Sequence, residues 1–204
     1  MHKTKEIVPK SSYRLIIFDS EKKIRQALLM KKHIIILTLM TVLFCTPAIS
    51  KTFSTNRVDS KEDWSVFMEN NPSQCWIVSA PSRTKATRNG KSVKVNRSEI
   101  QLFALFEPSQ SIYGQISFTS GYPFKNGSAV KVSIGSSEHI LSQTDGEWAW
   151  PKSSEENEAL LKSLRRGVKA LVSGISKKGT RTRDTFSLLG FSAAFAEAQK
   201  RCGT

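Results

Sequence analysis

Side chains that could carry chemistry are few beyond residue 50. His139 is the one histidine after His33, and it lies in Ser137-Glu-His-Ile-Leu141. That segment reads as a strand edge, where a lone imidazole is a surface residue rather than a catalytic base. Neither Gly-x-Ser-x-Gly nor His-Glu-x-x-His occurs, so neither a hydrolase nucleophile turn nor a helix-borne zinc site is indicated. No glycine-rich phosphate loop follows a strand and opens a helix. Cys75 and Cys202, with a single histidine, do not make a zinc set. If the two thiols are bridged, neither is a nucleophile. Nothing marks a working pair of carboxylates. The sequence therefore predicts no catalytic residue, no metal and no cofactor.

Cationic chemistry is the clearer signal. Residues 83–97 hold Arg83, Lys85, Arg88, Lys91, Lys94 and Arg97, and no acid. Asn89-Gly90 in their midst is a hairpin turn pair, because both residues tolerate positive φ. One reading is a solvated hairpin whose charges keep an edge strand from pairing with other chains. The other is electrostatic contact with an anionic envelope component, lipopolysaccharide or peptidoglycan, or with a protein partner. Lys177, Lys178, Arg181 and Arg183 form a second basic turn with the same two readings.

These residues belong to a chain that reads as exported. Met30-Lys-Lys precedes an apolar run over 34–44 and the small-residue end Ala48-Ile-Ser50. A positive start, a short apolar run and small residues before the cut make a secretory signal peptide over 30–50. Cleavage is expected between Ser50 and Lys51. The run is too short to span a bilayer, which takes about 20 apolar residues, so no transmembrane span is expected after cleavage. Residues 1–29 are polar and basic and read as a spurious or unstructured extension ahead of a natural start at Met30. An unusually long signal n-region is the alternative. Cys45 follows Phe44 rather than a small residue, which argues against lipidation.

Nine of the 31 basic and three of the 17 acidic residues fall in 1–50, leaving 22 and 14, a net charge of +8. Positive charge on an exported chain favours anionic surfaces; nucleic acid is not an expected partner in that compartment. Two cysteines in an oxidising compartment imply one disulfide, with two free thiols as the alternative.

The elements that must position these residues read mainly as strands. Residues 51–63 are polar and read as a flexible leader, with one domain over 64–204. Short aromatic and β-branched runs at 64–68 and 75–78 flank turn chemistry at Asn70-Asn-Pro-Ser73. Residues 100–106 are more continuously apolar and fit a buried strand. Ile112, Gly114, Ile116 and Phe118 alternate with polar neighbours, as do Val130, Val132 and Ile134. Further strands are expected over 168–176 and 184–189. Ser153-Ser-Glu-Glu156 is a capping pattern before Ala159, Leu160, Leu161 and Leu164, with Gly167 as the stop. Residues 191–201 read as a terminal helix with Ala194, Phe195 and Ala198 on one face. Many short strands with turns between them predict a β-sandwich or barrel.

One segment carries a resemblance. Ser176-Lys-Lys-Gly-Thr-Arg-Thr-Arg-Asp-Thr-Phe-Ser-Leu-Leu-Gly-Phe-Ser-Ala-Ala194, ending in Cys202, resembles the closing motif of the invasion-associated locus B family. Gly121-Tyr-Pro-Phe124, Gly127-Ser128, Ala149-Trp150 and an early Trp64 followed by Cys75 are similar to that family too. The resemblance implies an exported α-proteobacterial envelope protein with an immunoglobulin-like β-sandwich, to which the residue patterns above add one short internal helix and a C-terminal helix. It also implies the Cys75–Cys202 link, and it carries over no catalytic residue. Arg181 and Arg183 around Thr182 make this turn more basic than the family pattern.

Within the motif, Gly179 suits a tight turn at positive φ, and Asp184 is expected to cap that turn through backbone N–H groups. Phe186 and Leu188 should enter the core; Phe191, after Gly190, and Phe195 should dock the terminal helix. The functional expectation is a non-enzymatic binding module, in the periplasm or on the outer-membrane surface, whose partner is an envelope or host protein or an anionic envelope polymer. Host-cell entry is the role for which the family is named. The alternative is an enzyme acting on envelope polysaccharide or peptidoglycan.

Overall fold

The computed structural model describes residues 56–203, Pro72 excepted. The extension at 1–29, the signal-like segment at 30–50 and the Ser50-Lys51 junction lie outside the described residues. Thirteen strands follow in chain order: β1 Arg57–Lys61, β2 Trp64–Asn70, β3 Ser73–Ser79, β4 Arg83–Arg88, β5 Lys91–Ser92, β6 Gln101–Glu107, β7 Ile112–Thr119, β8 Val130–Ile134, β9 Ser137–Leu141, β10 Gln143–Asp145, β11 Trp148–Trp150, β12 Lys169–Ile175 and β13 Arg181–Ser187. Helix α1 spans Ser154–Arg166 and helix α2 spans Phe191–Cys202.

The strands form two antiparallel sheets. One has the order β1-β2-β3-β6-β7-β11-β10 and the other β5-β4-β13-β12-β8-β9. This is the expected mainly β sandwich. Alternation explains how the layers close. Trp64, Val66, Cys75, Ile77, Leu102, Ala104, Ile116 and Phe118 point inward from the seven-stranded sheet, and Val130, Val132, Ala170, Val172 and Phe186 from the six-stranded one. Each strand thereby buries one face and leaves the other to solvent.

Residues 51–63 are not wholly a leader. β1 pairs with β2 from Arg57↔Phe67 to Lys61↔Trp64. The side chains there are polar apart from the exposed Val58, so the period-2 apolar signal is missing; an edge strand is held by its backbone ladder and needs none. Asn70 pairs with Ser73 where β2 and β3 meet, as expected of the hairpin.

The helices seal the sandwich. Ser153 caps α1 by accepting from Glu156 N–H at 3.3 Å, while the Glu156 carboxylate accepts from Lys152 N–H at 2.8 Å. The reciprocal bond goes one residue further back than in the standard capping box. Gly167 ends the helix; a Cβ there would run into Ile134 and Leu188. α2 places Phe191, Ala194, Phe195, Ala198 and Cys202 on one buried face. Phe191 meets Trp64 edge-on at 4.8 Å and Phe195 meets Phe106 at 4.9 Å. Cys75 and Cys202 are bonded, with Cα atoms 5.8 Å apart, so the last turn of α2 is tied to the inner face of β3.

Candidate functional site: a cationic sheet face and its groove

The two basic stretches, some ninety residues apart in sequence, meet because β13 pairs with β4. Arg181 lies opposite Thr87, Arg183 opposite Lys85 and Thr185 opposite Arg83. Thr182, Asp184 and Phe186 are buried on this strand, so Arg181 and Arg183 point outward beside Arg83 and Lys85. None of these four cations has an acidic partner among the described residues. Lys85 and Arg183 are direct cross-strand neighbours of like charge, a pairing that destabilises a sheet. Farther along the same face Lys131 is partnered, by Glu138 at 2.8 Å.

The β4–β5 hairpin turns at Asn89 and Gly90, both at positive φ (51° and 75°), and carries Lys91 at its tip. Beside it lies a groove of about 720 Å³ lined by Arg88, Lys94, Arg97, Tyr122, Lys177 and Lys178, with Glu147 on its wall. Glu147 accepts from the Ser98 hydroxyl at 2.9 Å. Arg88 reaches across the groove and donates to Thr180 Oγ1 from both Nε and Nη2.

Arg97 is not part of the exposed array. Its guanidinium grips Asp184 with two bonds of 2.7 Å, donates from Nε to the Ser120 carbonyl at 2.8 Å, and lies 5.0 Å from the centre of the Tyr122 ring. The Arg97 side chain is 6% exposed and that of Asp184 0%. Burial pushes the Asp184 carboxyl above its ordinary value, against the pull of the Arg97 guanidinium. Burial likewise raises the Tyr122 hydroxyl, whose oxygen lies 2.6 Å from Thr182 Oγ1.

Asp184 therefore does not cap the Gly179 turn. It sits mid-strand on the inward side, too far along β13 to reach that turn. Ser176 does the capping instead: its Oγ accepts from Thr180 N–H at 3.1 Å, and Gly179, at φ +76°, donates to the Ser176 carbonyl at 2.8 Å. The inward carboxylate needs a cation, and Arg97 supplies it. Both residues stand in plain view in the sequence, but 87 positions separate them and no local pattern joins them. A lone acid on the inward side of a core strand, two residues before Phe186, was the available clue.

The rest of the motif is packing. Phe186 and Leu188 are buried. The Ser187 carbonyl accepts from the Trp64 indole at 3.1 Å. Gly190, at φ +87°, passes so near the β1–β2 turn that a Cβ would overlap the Lys61 carbonyl. His139, on edge strand β9, contacts the Ser163 hydroxyl of α1 at 2.8 Å, and burial lowers its pKa. Among the described residues no cluster of three or more His, Cys, Asp or Glu side chains could hold a metal, and no helix is long and apolar enough to cross a membrane.

No family model matches the chain, and no curated protein matches it. Among solved structures it is similar to the crystal structure of invasion associated protein B from Bartonella henselae, with a TM-score of 0.45 and 12% identity over 70% of this chain and 95% of that one.

Proposed function

We propose that this protein is an exported, non-enzymatic binding module of the bacterial envelope that docks on an anionic envelope polymer through the outer face of its six-stranded sheet and the adjoining groove. One observation carries the reading: Arg83, Lys85, Arg181 and Arg183 are gathered from distant segments onto one face, and none has an acidic partner among the described residues. Like charges side by side are unfavourable in the free protein. An external polyanion relieves that repulsion, and field lines from the groove cations strengthen the attraction. Export rests on the signal-like sequence over 30–50, and a role in host-cell entry on the resemblance of the 176–202 segment to the invasion-associated locus B family.

The test is binding to lipopolysaccharide aggregates across a salt series. The Debye length falls from about 10 Å at 0.1 M to about 3 Å at 1 M, so association should weaken steeply. Lys85→Gln with Arg183→Gln should weaken it at low salt. Binding that ignores both salt and these substitutions would overturn the proposal, as would turnover of an envelope polymer abolished by one point substitution in the folded protein.

A further inference from the structure

The outer face of the seven-stranded sheet has a different chemistry from the cationic one. Inward Cys75 and Ile77 on β3, and inward Leu102 and Ala104 on β6, leave Trp76 and Phe103 pointing out. Ala149 is buried between Trp148 and Trp150 on β11, so both indoles also face outward. Phe103 lies 5.4 Å from Trp148, and Trp148 lies 6.4 Å from Trp150 in a nearly parallel stack. On the far side of the sheet Trp76 stacks on Phe67 at 5.4 Å. Trp148 is 40% exposed.

Carboxamides are interleaved with these rings. Gln74 stands two residues before Trp76, Gln101 two before Phe103, and Gln143 directly across from Trp150. Gln115 completes the row opposite Leu105. The carboxamides of Gln101 and Gln115 have no hydrogen-bond partner among the described residues. No ionisable side chain occupies the outward positions of β3, of β6 from Gln101 to Leu105, of β7 from Gln115 to Thr119, or of β11.

The face runs into a groove of about 720 Å³ where the chain leaves β11 for α1. Trp150, Gln115, Gln143 and Tyr113, itself 52% exposed, line it, with Lys152 and Glu158 of opposite charge at the α1 side.

We propose that this face and groove bind a neutral, β-linked polysaccharide strand. Each pyranose presents a flat C–H face and a rim of hydroxyls. Exposed rings stack on the first, and carboxamides donate to and accept from the second. Alternation of ring and amide at strand spacing matches that repeat. The outward positions of these strands carry no charge, and the groove holds one cation and one anion, Lys152 and Glu158; that balance matches a neutral ligand and does not match the polyanion proposed for the other face. A dry protein interface fits less well, because it would bury the carboxamides of Gln101 and Gln115 without partners, and each unsatisfied group is unfavourable. Across β3, β6, β7 and β11 the platform is three strand spacings wide, roughly 14 Å, enough to seat consecutive sugar units.

Chitohexaose, a neutral β-1,4-linked oligosaccharide, is the probe, titrated into the full-length protein with indole emission and calorimetry as readouts. Saturable binding with a Kd of about 1 mM or tighter is expected. Trp148→Ala and Gln115→Ala should each weaken it, the former about tenfold or more, while far-UV circular dichroism stays unchanged. Raising salt from 0.1 to 1 M should leave it intact, and so should Lys85→Gln with Arg183→Gln. Absence of saturable binding would overturn the proposal. So would binding that survives both Trp148→Ala and Gln115→Ala, or a dimer in sedimentation that Trp148→Ala dissolves.

Discussion

The two outer faces of this sandwich are built by the same rule and end in opposite chemistry. On the six-stranded sheet the outward positions near β4 and β13 are Arg83, Lys85, Arg181 and Arg183. On the seven-stranded sheet they are Trp76, Phe103, Trp148 and Trp150, with glutamines between. Each face also has its own anchor on the inward side. Behind the cations lies the Arg97–Asp184 ion pair. Behind Trp76 lies Cys75, one residue away and bonded to Cys202. The difference teaches that the core tolerates two kinds of fastening. A charged anchor lies behind a cationic outer face, and a covalent one behind an outer face of rings and carboxamides.

The comparison breaks most severely at the charged anchor. Arg97→Gln leaves the Asp184 carboxylate buried without its cation, and removal of one partner from a buried pair destabilises by about 3–5 kcal/mol. A fall of that size in the unfolding free energy from urea titration is expected. Hydrogen exchange should quicken first in β4, β13 and around Tyr122, with β3 and β6 still protected. Uniform loosening of both sheets would show that the faces are not separately supported. Replacing both residues by leucine should recover much of the loss, because no charge is then stranded.

The covalent anchor comes next. Cys202→Ser opens a loop of 127 residues, for which chain entropy gives roughly 4–5 kcal/mol and measured losses run at about 2–4. Here exchange should quicken in α2 and at the end of β3. Thiol counting under denaturing, non-reducing conditions should find none free at Cys75 and Cys202. Two titratable thiols would remove the distinction between the anchors.

How far this contrast was legible in the sequence depends on which residues need a partner. Strands with inward apolar alternation, such as β7 and β8, and the capped helix α1 declare themselves locally, because pattern and capping are properties of adjacent residues. β1 did not, since Val58 alone among polar residues makes no period-2 pattern. The cationic residues were visible as two runs, but their division was not. The strand pairing of β4 with β13 sends Arg83, Lys85, Arg181 and Arg183 to one face, Arg88, Lys94, Lys177 and Lys178 to the groove, and Arg97 inside. The aromatic face was missed for the same reason. Its rings lie on four strands, and Ile100-Gln-Leu-Phe-Ala-Leu-Phe106 reads as buried on both sides when half of its positions face out.

Removal of surface repulsion should have a much smaller effect on stability than loss of either anchor. Lys85→Gln with Arg183→Gln deletes a like-charged cross-strand pair, so the thermal midpoint should hold or rise slightly, within about 0.5 kcal/mol. Trp148→Ala on the opposite face should shift it down by a comparable amount through lost ring contacts with Phe103 and Trp150. A midpoint that falls on removal of the cations would mean they support the fold, and the polyanion reading would lose its main observation.

The smallest effect expected is a titration that belongs to one face alone. His139 is on β9, the edge of the cationic sheet, and burial lowers its pKa below the ordinary 6.5. The unfolded chain therefore takes up the proton first as pH falls. Stability tied to the neutral imidazole is complete above about 6.5 and declines as pH drops below that value. The ring is partly exposed, and solvent screening keeps the effect small. Between pH 7.5 and 5.5 the midpoint should fall by only a fraction of the roughly 2–4 °C that 1 kcal/mol gives in a chain of this size, and His139→Gln should flatten that part of the pH profile. Because no histidine faces out from the seven-stranded sheet, emission from Trp76, Trp148 and Trp150 should stay constant over the same interval. A pH-dependent change in that emission, preserved in His139→Gln, would show that protonation on one side reaches the other.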